Sequence, residues 1–307
     1  MDILAIMYHY VFSKEEEEKF TNLHYVPFKS FQRQVDTLLR DYVPINYNEA
    51  LSLLSGSLWK NNKKPVMLTF DDGLKCHYHT VFPYLKALGI PAFFFIITQP
   101  LLDKKIPIIH KIHLLRNKLG EITMKDSFVN LLKVKRGAFN INTEVPMELA
   151  RKLFRWDTDE IKQFKYLINH ILPSKECEDI LEELFEKSFD NSNQLLKDFF
   201  LSTNNLIEMQ NSGMEIGGHS HSHKALAKIP YKTKYDDINK CISYLNSSLA
   251  KPIRTFSCPS GNPNSYDEQV FQILRQKNIS IAFSTRIGKN KPDENPYALK
   301  RLDPKDL

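Results

Sequence analysis

Two clusters in this chain of 307 residues have residue types and spacings that could do chemistry. The first is Thr69-Phe70-Asp71-Asp72-Gly73, where two adjacent carboxylates stand at the tip of an apolar run. Adjacent carboxylates repel. A divalent cation can bind one of them and leave its neighbour to handle protons, which is the division of labour that metal-assisted hydrolysis requires. The second cluster is Glu215 to His223 (EIGGHSHSH), with His219, His221 and His223 directly after a glycine pair. Such density marks a ligand cluster. One helical turn from His219 to His223 puts both rings on one side and turns His221 elsewhere. A carboxylate and two imidazoles make a three-ligand site with open positions, the catalytic rather than the closed structural pattern. Zinc is the first expectation, and cobalt, manganese, nickel or iron suit the same donors.

Both clusters need scaffolds. Pro65 to Phe70 (PVMLTF) is a short apolar run ending on the carboxylates, followed by a helical pattern of Val81, Leu85 and Leu88 that Gly89 stops, and by a buried strand over Ile90 to Ile97. Strand, helix, strand with apolar strands reads as a βαβ unit of a parallel sheet. An amphipathic helix upstream carries Phe31, Val35, Leu38, Leu39 and Tyr42, with Ser30 as N-cap and Pro44 past its end. Downstream the alternation returns: strands over Met214–Gly217, Ile253–Phe256 and Ile279–Phe283, and helices marked by Ile238, Ile242, Leu245 and Leu249 and by Val270, Ile273 and Leu274. Ser265 and Glu268 read as a capping box for the last helix. The fold class is therefore α/β, a sheet or barrel of βα units. Residues 98–208 break the rhythm with Lys-, Glu- and Leu-rich helices, including Asp157 to Leu172 and Ser174 to Lys187. The expected organisation is one barrel from residues 1–97 and 209–307 with a helical insertion at 98–208.

Composition sets outer limits. With 42% hydrophobic and 25% charged residues the chain is globular. A net charge of +6 without a Lys/Arg block interleaved with aromatics argues against a nucleic-acid partner. The greasiest stretch, Pro91 to Ile97, is strand-length, so no membrane span is expected. Cys76, Cys177, Cys241 and Cys258 are scattered and suit reduced thiols, and with no basic leader at the N-terminus the expectation is a cytoplasmic protein.

Thr69 to Gly73 (TFDDG), followed far downstream by Glu215 to Leu226 (EIGGHSHSHKAL), resembles the polysaccharide deacetylase, or NodB-homology, family. The resemblance implies a distorted (β/α) barrel with fewer than eight strands. It implies that Asp71 is the general base and that Asp72, His219 and His223 hold the metal. Phe256 to Gly261 (FSCPSG) is similar to the family's third motif, which places Pro259 in the groove wall and gives the Ser260 backbone N–H to the oxyanion; Ser260 stands where an aromatic residue is common, and the motif's usual Arg is absent. Ile6-Met7-Tyr8-His9 is similar to the opening of the poly-N-acetylglucosamine deacetylase branch, which makes His9 the general acid. Arg301 resembles a late arginine that this branch sets near the catalytic Asp.

The implied function is metal-dependent removal of an N-acetyl group from a carbohydrate, whether sugar, nucleotide-sugar or glycan precursor, with no organic cofactor. Two alternatives stand beside it: the same site acting on a non-sugar amide or formamide, and a catalytically weak carbohydrate-binding protein. The sugar, the acyl group, the native metal and the oligomeric state are left open, as is the insertion's role as lid, groove wall or oligomer contact.

Overall fold

The computed structural model describes residues 1–136, 145–154, 157–172, 174–292 and 294–306. It divides into two compact units, one of residues 1–18, 24–105 and 193–307, the other of residues 19–23 and 106–192.

The first unit carries strands β1 (Leu4–Tyr8), β2 (Val11–Phe12), β3 (Val26–Pro27), β4 (Tyr42–Pro44), β5 (Lys64–Phe70), β6 (Phe93–Ile96), β7 (Glu215–Gly218), β8 (Thr255–Ser257) and β9 (Ile281–Phe283). Seven of them form one sheet in the order β1-β5-β6-β7-β8-β9, with β4 on the start of β5, and every pairing is parallel. The sheet curls. Its two edges are bridged by the C-terminal stretch, where Leu299 pairs with Phe283 of β9 and Leu302 with Ile6 of β1. Leu302 N donates to Ala5 O at 2.8 Å and Met7 N to Leu302 O at 2.9 Å. The result is the distorted (β/α) barrel that the resemblance implied.

Alternation along the strands separates two cores. Ala5, Met67, Phe93, Phe95, Ile281, Phe283 and Leu299 fill the concave interior, while Leu4, Ile6, Val66, Leu68, Phe70, Phe94, Ile216 and Phe256 face the surrounding helices. Strands buried on both faces explain the unbroken apolar runs. Each fully buried Phe contributes roughly 2–3 kcal/mol of transfer free energy.

Two helix starts differ from expectation. The upstream helix spans Phe28–Asp41 with Pro27 as N-cap, so Ser30 lies inside it; the fixed φ of Pro27 opens the helix without a side-chain cap. The helix Glu268–Gln276 is capped by Asp267, which accepts from Val270 N at 3.0 Å, whereas Ser265 Oγ donates to Asn262 O. A carboxylate one residue before the first turn outcompetes a hydroxyl two residues further back.

The second unit is helical: Ile108–Leu119, Glu121–Arg136, Met147–Leu153, Asp159–Tyr166 continued by a π-turn at Leu167–Ile171, and Ser174–Ser188. Met124, Phe128, Leu132, Ile161, Phe164, Ile180 and Leu181 are buried in it, and the Phe128 and Phe164 rings meet edge-on at 5.2 Å. Residues 98–105 and 193–208, expected in the insertion, sit in the barrel unit. Backbone bonds hold them there: Thr98 N and Gln99 N donate to Ser220 O and His221 O, and Leu201 N donates to Gly73 O. No helix of the described residues is long and apolar enough to cross a membrane.

Candidate metal centre

Met67 of β5 faces the interior, so by strand alternation Thr69 and Asp71 do too. Asp71 N continues the pairing with β1 by donating to Tyr8 O at 2.9 Å. Asp72 then adopts φ 81°, a left-handed conformation that non-glycine residues rarely hold. Asp71 and Asp72 are 2% and 4% exposed.

Two buried carboxylates need compensation. Arg301, from the stretch that closes the barrel, meets Asp71 in a two-toothed pair, Nη1 to Oδ1 at 2.9 Å and Nη2 to Oδ2 at 2.7 Å. Its remaining donors reach Ser284 O at 2.8 Å, Thr69 Oγ1 at 3.2 Å and Ser257 Oγ at 3.0 Å, and Ser257 Oγ donates to Asp71 Oδ2 at 3.1 Å. Burial pushes the Asp71 pKa up, but the Arg301 guanidinium, with His219 and His9 nearby, brings it down to about 2. Asp71 is therefore ionised at neutral pH. The guanidinium offsets the Asp71 carboxylate, while Asp72 faces the two imidazoles His219 and His223.

The histidines converge by a route other than the expected helical turn. Gly217 ends the interior row of β7, where a Cβ would stand 2.5 Å from Thr255 Oγ1 and 2.6 Å from the Phe95 ring, so only glycine fits. The chain after Gly218 is irregular, and Ser220 and His223 take φ of 62° and 59°. Two left-handed residues fold the loop so that the His219 and His223 rings lie 4.9 Å apart. His219 Nδ1 lies 2.7 Å from Ser257 O, which sets the tautomer and presents Nε2. His219 Nε2 and His223 Nε2 stand 3.4 and 3.6 Å from Asp72 Oδ1. Burial lowers the His219 pKa, but the Asp71 and Asp72 carboxylates outweigh it and raise it overall.

These donors suit a divalent cation. Their ligand atoms lie within 4.8 Å of one another, and two donors each about 2.1 Å from one tetrahedral ion stand about 3.4 Å apart. The Asp72 carboxylate among them has the charge sign that a cation requires. His221 is not among them. Its Nδ1 lies 3.0 Å from Thr98 Oγ1 and its Nε2 lies 2.9 Å from Asp103 Oδ2 and 2.9 Å from Lys240 Nζ.

His9 follows β1, is half-buried, and acts on the charge of Asp71. Its carbonyl is bonded at 2.7 Å by Nε2 of buried His77, a residue that sequence reasoning passed over. Pro259 is buried and Ser260 exposed just beyond β8, the latter with φ 61°. Ser257 and Tyr10 also escaped notice. Burial, and after it the Asp72 charge, raises the Tyr10 pKa well above the ordinary phenol value. A serine inside a strand and a tyrosine after one carry no spacing signal that could have marked them.

A family model described as polysaccharide deacetylase matches residues 59–130 and 180–282. The metal and base candidates fall inside the match, and His9 and Arg301 outside it. No curated protein matches the chain. Among solved structures, a deacetylase, PplD, of Streptococcus pyogenes in complex with acetate is 18% identical, with 99% of this chain and 92% of that one covered and a TM-score of 0.60. IcaB of Ammonifex degensii is 19% identical, covering 98% and 91%, at 0.58. The BpsB deacetylase domain of Bordetella bronchiseptica is 15% identical, covering 98% and 95%, at 0.55. At these identities the structures show a shared fold.

Proposed function

The chain belongs to the polysaccharide deacetylase family, and from that premise we propose that it is a metal-dependent hydrolase that removes an N-acetyl group from a carbohydrate. Asp72, His219 and His223 hold the divalent cation, zinc first among the candidates; bound there, it supplies Lewis-acid polarisation and lowers the pKa of water. Asp71 takes the proton of the attacking water. Arg301 reduces the basicity of that carboxylate but keeps it ionised through the neutral range and aims it, since both of its oxygens are fixed. The water oxygen adds to the acetamide carbonyl carbon, and the Ser260 backbone N–H meets the charge that develops on the carbonyl oxygen. His9 donates a proton to the amine nitrogen as the C–N bond breaks, and acetate and the free amino sugar leave. Pro259 shapes the groove wall.

The observation that carries this reading is the convergence of one carboxylate and two imidazoles beside an ionised second carboxylate. Zinc-reconstituted protein is to be incubated with N-acetylated sugars and nucleotide sugars and free acetate measured. Acetate release that a chelator abolishes and added zinc restores is expected. Formate release from a formamide instead would keep the site and change the acyl group. No carboxylic acid from any member of the panel, with one equivalent of zinc bound, would sink the reading.

A further inference from the structure

The loop that carries His219 and His223 is held from a helix that supplies no ligand. Its left-handed Ser220 and His223 are each disfavoured by roughly 1–2 kcal/mol for non-glycine residues, so the surroundings must over-determine them. On one side the loop is pinned by backbone bonds, His219 N to Ile96 O at 2.9 Å, Thr98 N to Ser220 O at 3.3 Å and Gln99 N to His221 O at 3.0 Å. Ser220 Oγ also accepts from His223 N at 2.9 Å. On the other side stands the helix Tyr231–Ser248. Its Asp237 accepts from His221 N at 2.8 Å, from Ser222 N at 3.2 Å and from Ser222 Oγ. Three donors of the short bridge between the two metal histidines thus converge on one half-buried carboxylate. Consecutive N–H groups around a left-handed residue form a concave, electropositive nest, and a carboxylate is the anion that fills it.

We infer that Asp237 is a positioning residue of the metal centre, whose carboxylate holds the 219–223 loop in the shape that turns both imidazoles onto Asp72. The inference rests on the proposed metal site and goes beyond it. Asp237 bonds to His221 N, Ser222 N and Ser222 Oγ and so acts on the bridge between the ligands. Its loss should act through the population of the correctly folded loop.

The test is zinc affinity of the full chain, by chelator competition, together with kcat, KM and thermal unfolding of the zinc-free protein. Asp237→Ala should raise the zinc Kd by about 10- to 100-fold. Saturating zinc should bring kcat back towards the wild-type value with KM unchanged, a split that general damage to the fold would not give. Asp237→Asn keeps one acceptor but turns an NH2 group towards the Ser222 N–H, so a smaller, several-fold rise is expected. A folded Asp237→Ala with a Kd within twofold of wild type overturns the inference and leaves the proposed function intact. Should Asp237→Ala fail to fold, an unchanged Kd in Asp237→Asn overturns it equally. Wild-type protein that binds no zinc overturns the proposed function and this inference with it.

Discussion

The Asp71–Arg301 pair of the barrel unit and the Lys111–Glu182 and Arg151–Asp159 pairs of the helical unit use charge in opposite ways. In the barrel, Asp71 and Arg301 are 2% and 0% exposed at the side chain, and three further donor or acceptor groups complete the pair. Burying two ions costs several kcal/mol each, recovered only when geometry and additional hydrogen bonds are both good, so such a pair is weak evidence for stability. In the helical unit Lys111 meets a Glu182 that is 47% exposed, and Arg151 and Asp159 are both largely in water. Exposed pairs of that kind contribute little. The cost of the Asp71–Arg301 pair is met where the geometry of one carboxylate matters, whereas Arg151 and Asp159 serve solubility; Arg116 and Asp157, 10% and 8% exposed, show that the helical unit buries charge as well.

The comparison breaks first at Asp71. Asp71→Asn should lower kcat by at least about 1000-fold while one equivalent of zinc stays bound, because an amide fills the same space but cannot accept the proton. Measured turnover near wild type would remove Asp71 from the base role and leave the buried pair without a functional reason. Replacing Asp72, His219 or His223 by Ala should take bound zinc well below one equivalent by elemental analysis. His221→Ala should retain it, since that ring faces Thr98, Asp103 and Lys240.

Arg301 sharpens the contrast next. Arg301→Met leaves Asp71 buried without its counter-ion, and urea unfolding at pH 7 should show a loss of about 3–5 kcal/mol. The pH dependence has a definite sign. The folded Asp71 pKa is lowered from 3.8 to about 2, so its carboxylate contributes on the order of 2 kcal/mol above pH ~4. That contribution is lost as pH falls through ~2. In the variant burial pushes the same carboxyl up. The gap between the two proteins should therefore narrow at pH 3 compared with pH 7. A constant gap would show that Arg301 acts by packing.

The chemistry was legible in sequence where it is compact. TFDDG and the histidine cluster are dense, and the parallel sheet follows from apolar runs alternating with helical stripes. The loop shape was not legible, because left-handed φ at Ser220 and His223 belongs to residues with no glycine-like signature; a helical turn was the simpler way to bring residues four apart together. Arg301 could be placed only by resemblance, since the closing stretch pairs through single bridges and shows no strand periodicity. Asp237 looked like any carboxylate on a solvated helix face. The expected boundary at residue 98 followed the loss of βα rhythm, which is blind to the backbone bonds that Thr98, Gln99 and Leu201 make with the barrel.

The smallest effect belongs to the exposed Arg151–Asp159 pair of the helical unit. Arg151→Ala should leave the midpoint of thermal unfolding without measurable change.

Excision is the sharper case, and where the cut falls decides the outcome. Removing residues 98–208 would delete Thr98, Gln99 and Asp103, whose bonds hold the backbone of the 219–223 loop and the His221 ring, together with Leu201, which holds Gly73. Zinc affinity should then fall even though every ligand remains. A linker replacing only residues 106–192 spares all four, and the ligands and Asp71, Arg301 and Asp237 lie outside that span. In protein that folds, zinc Kd by chelator competition should stay within about threefold of wild type, since no outer-shell partner of the metal is lost. KM on the true substrate is free to change, which would assign substrate selection to the helical unit. A large loss of zinc affinity in the shorter excision would show that the two units do not divide chemistry from scaffold.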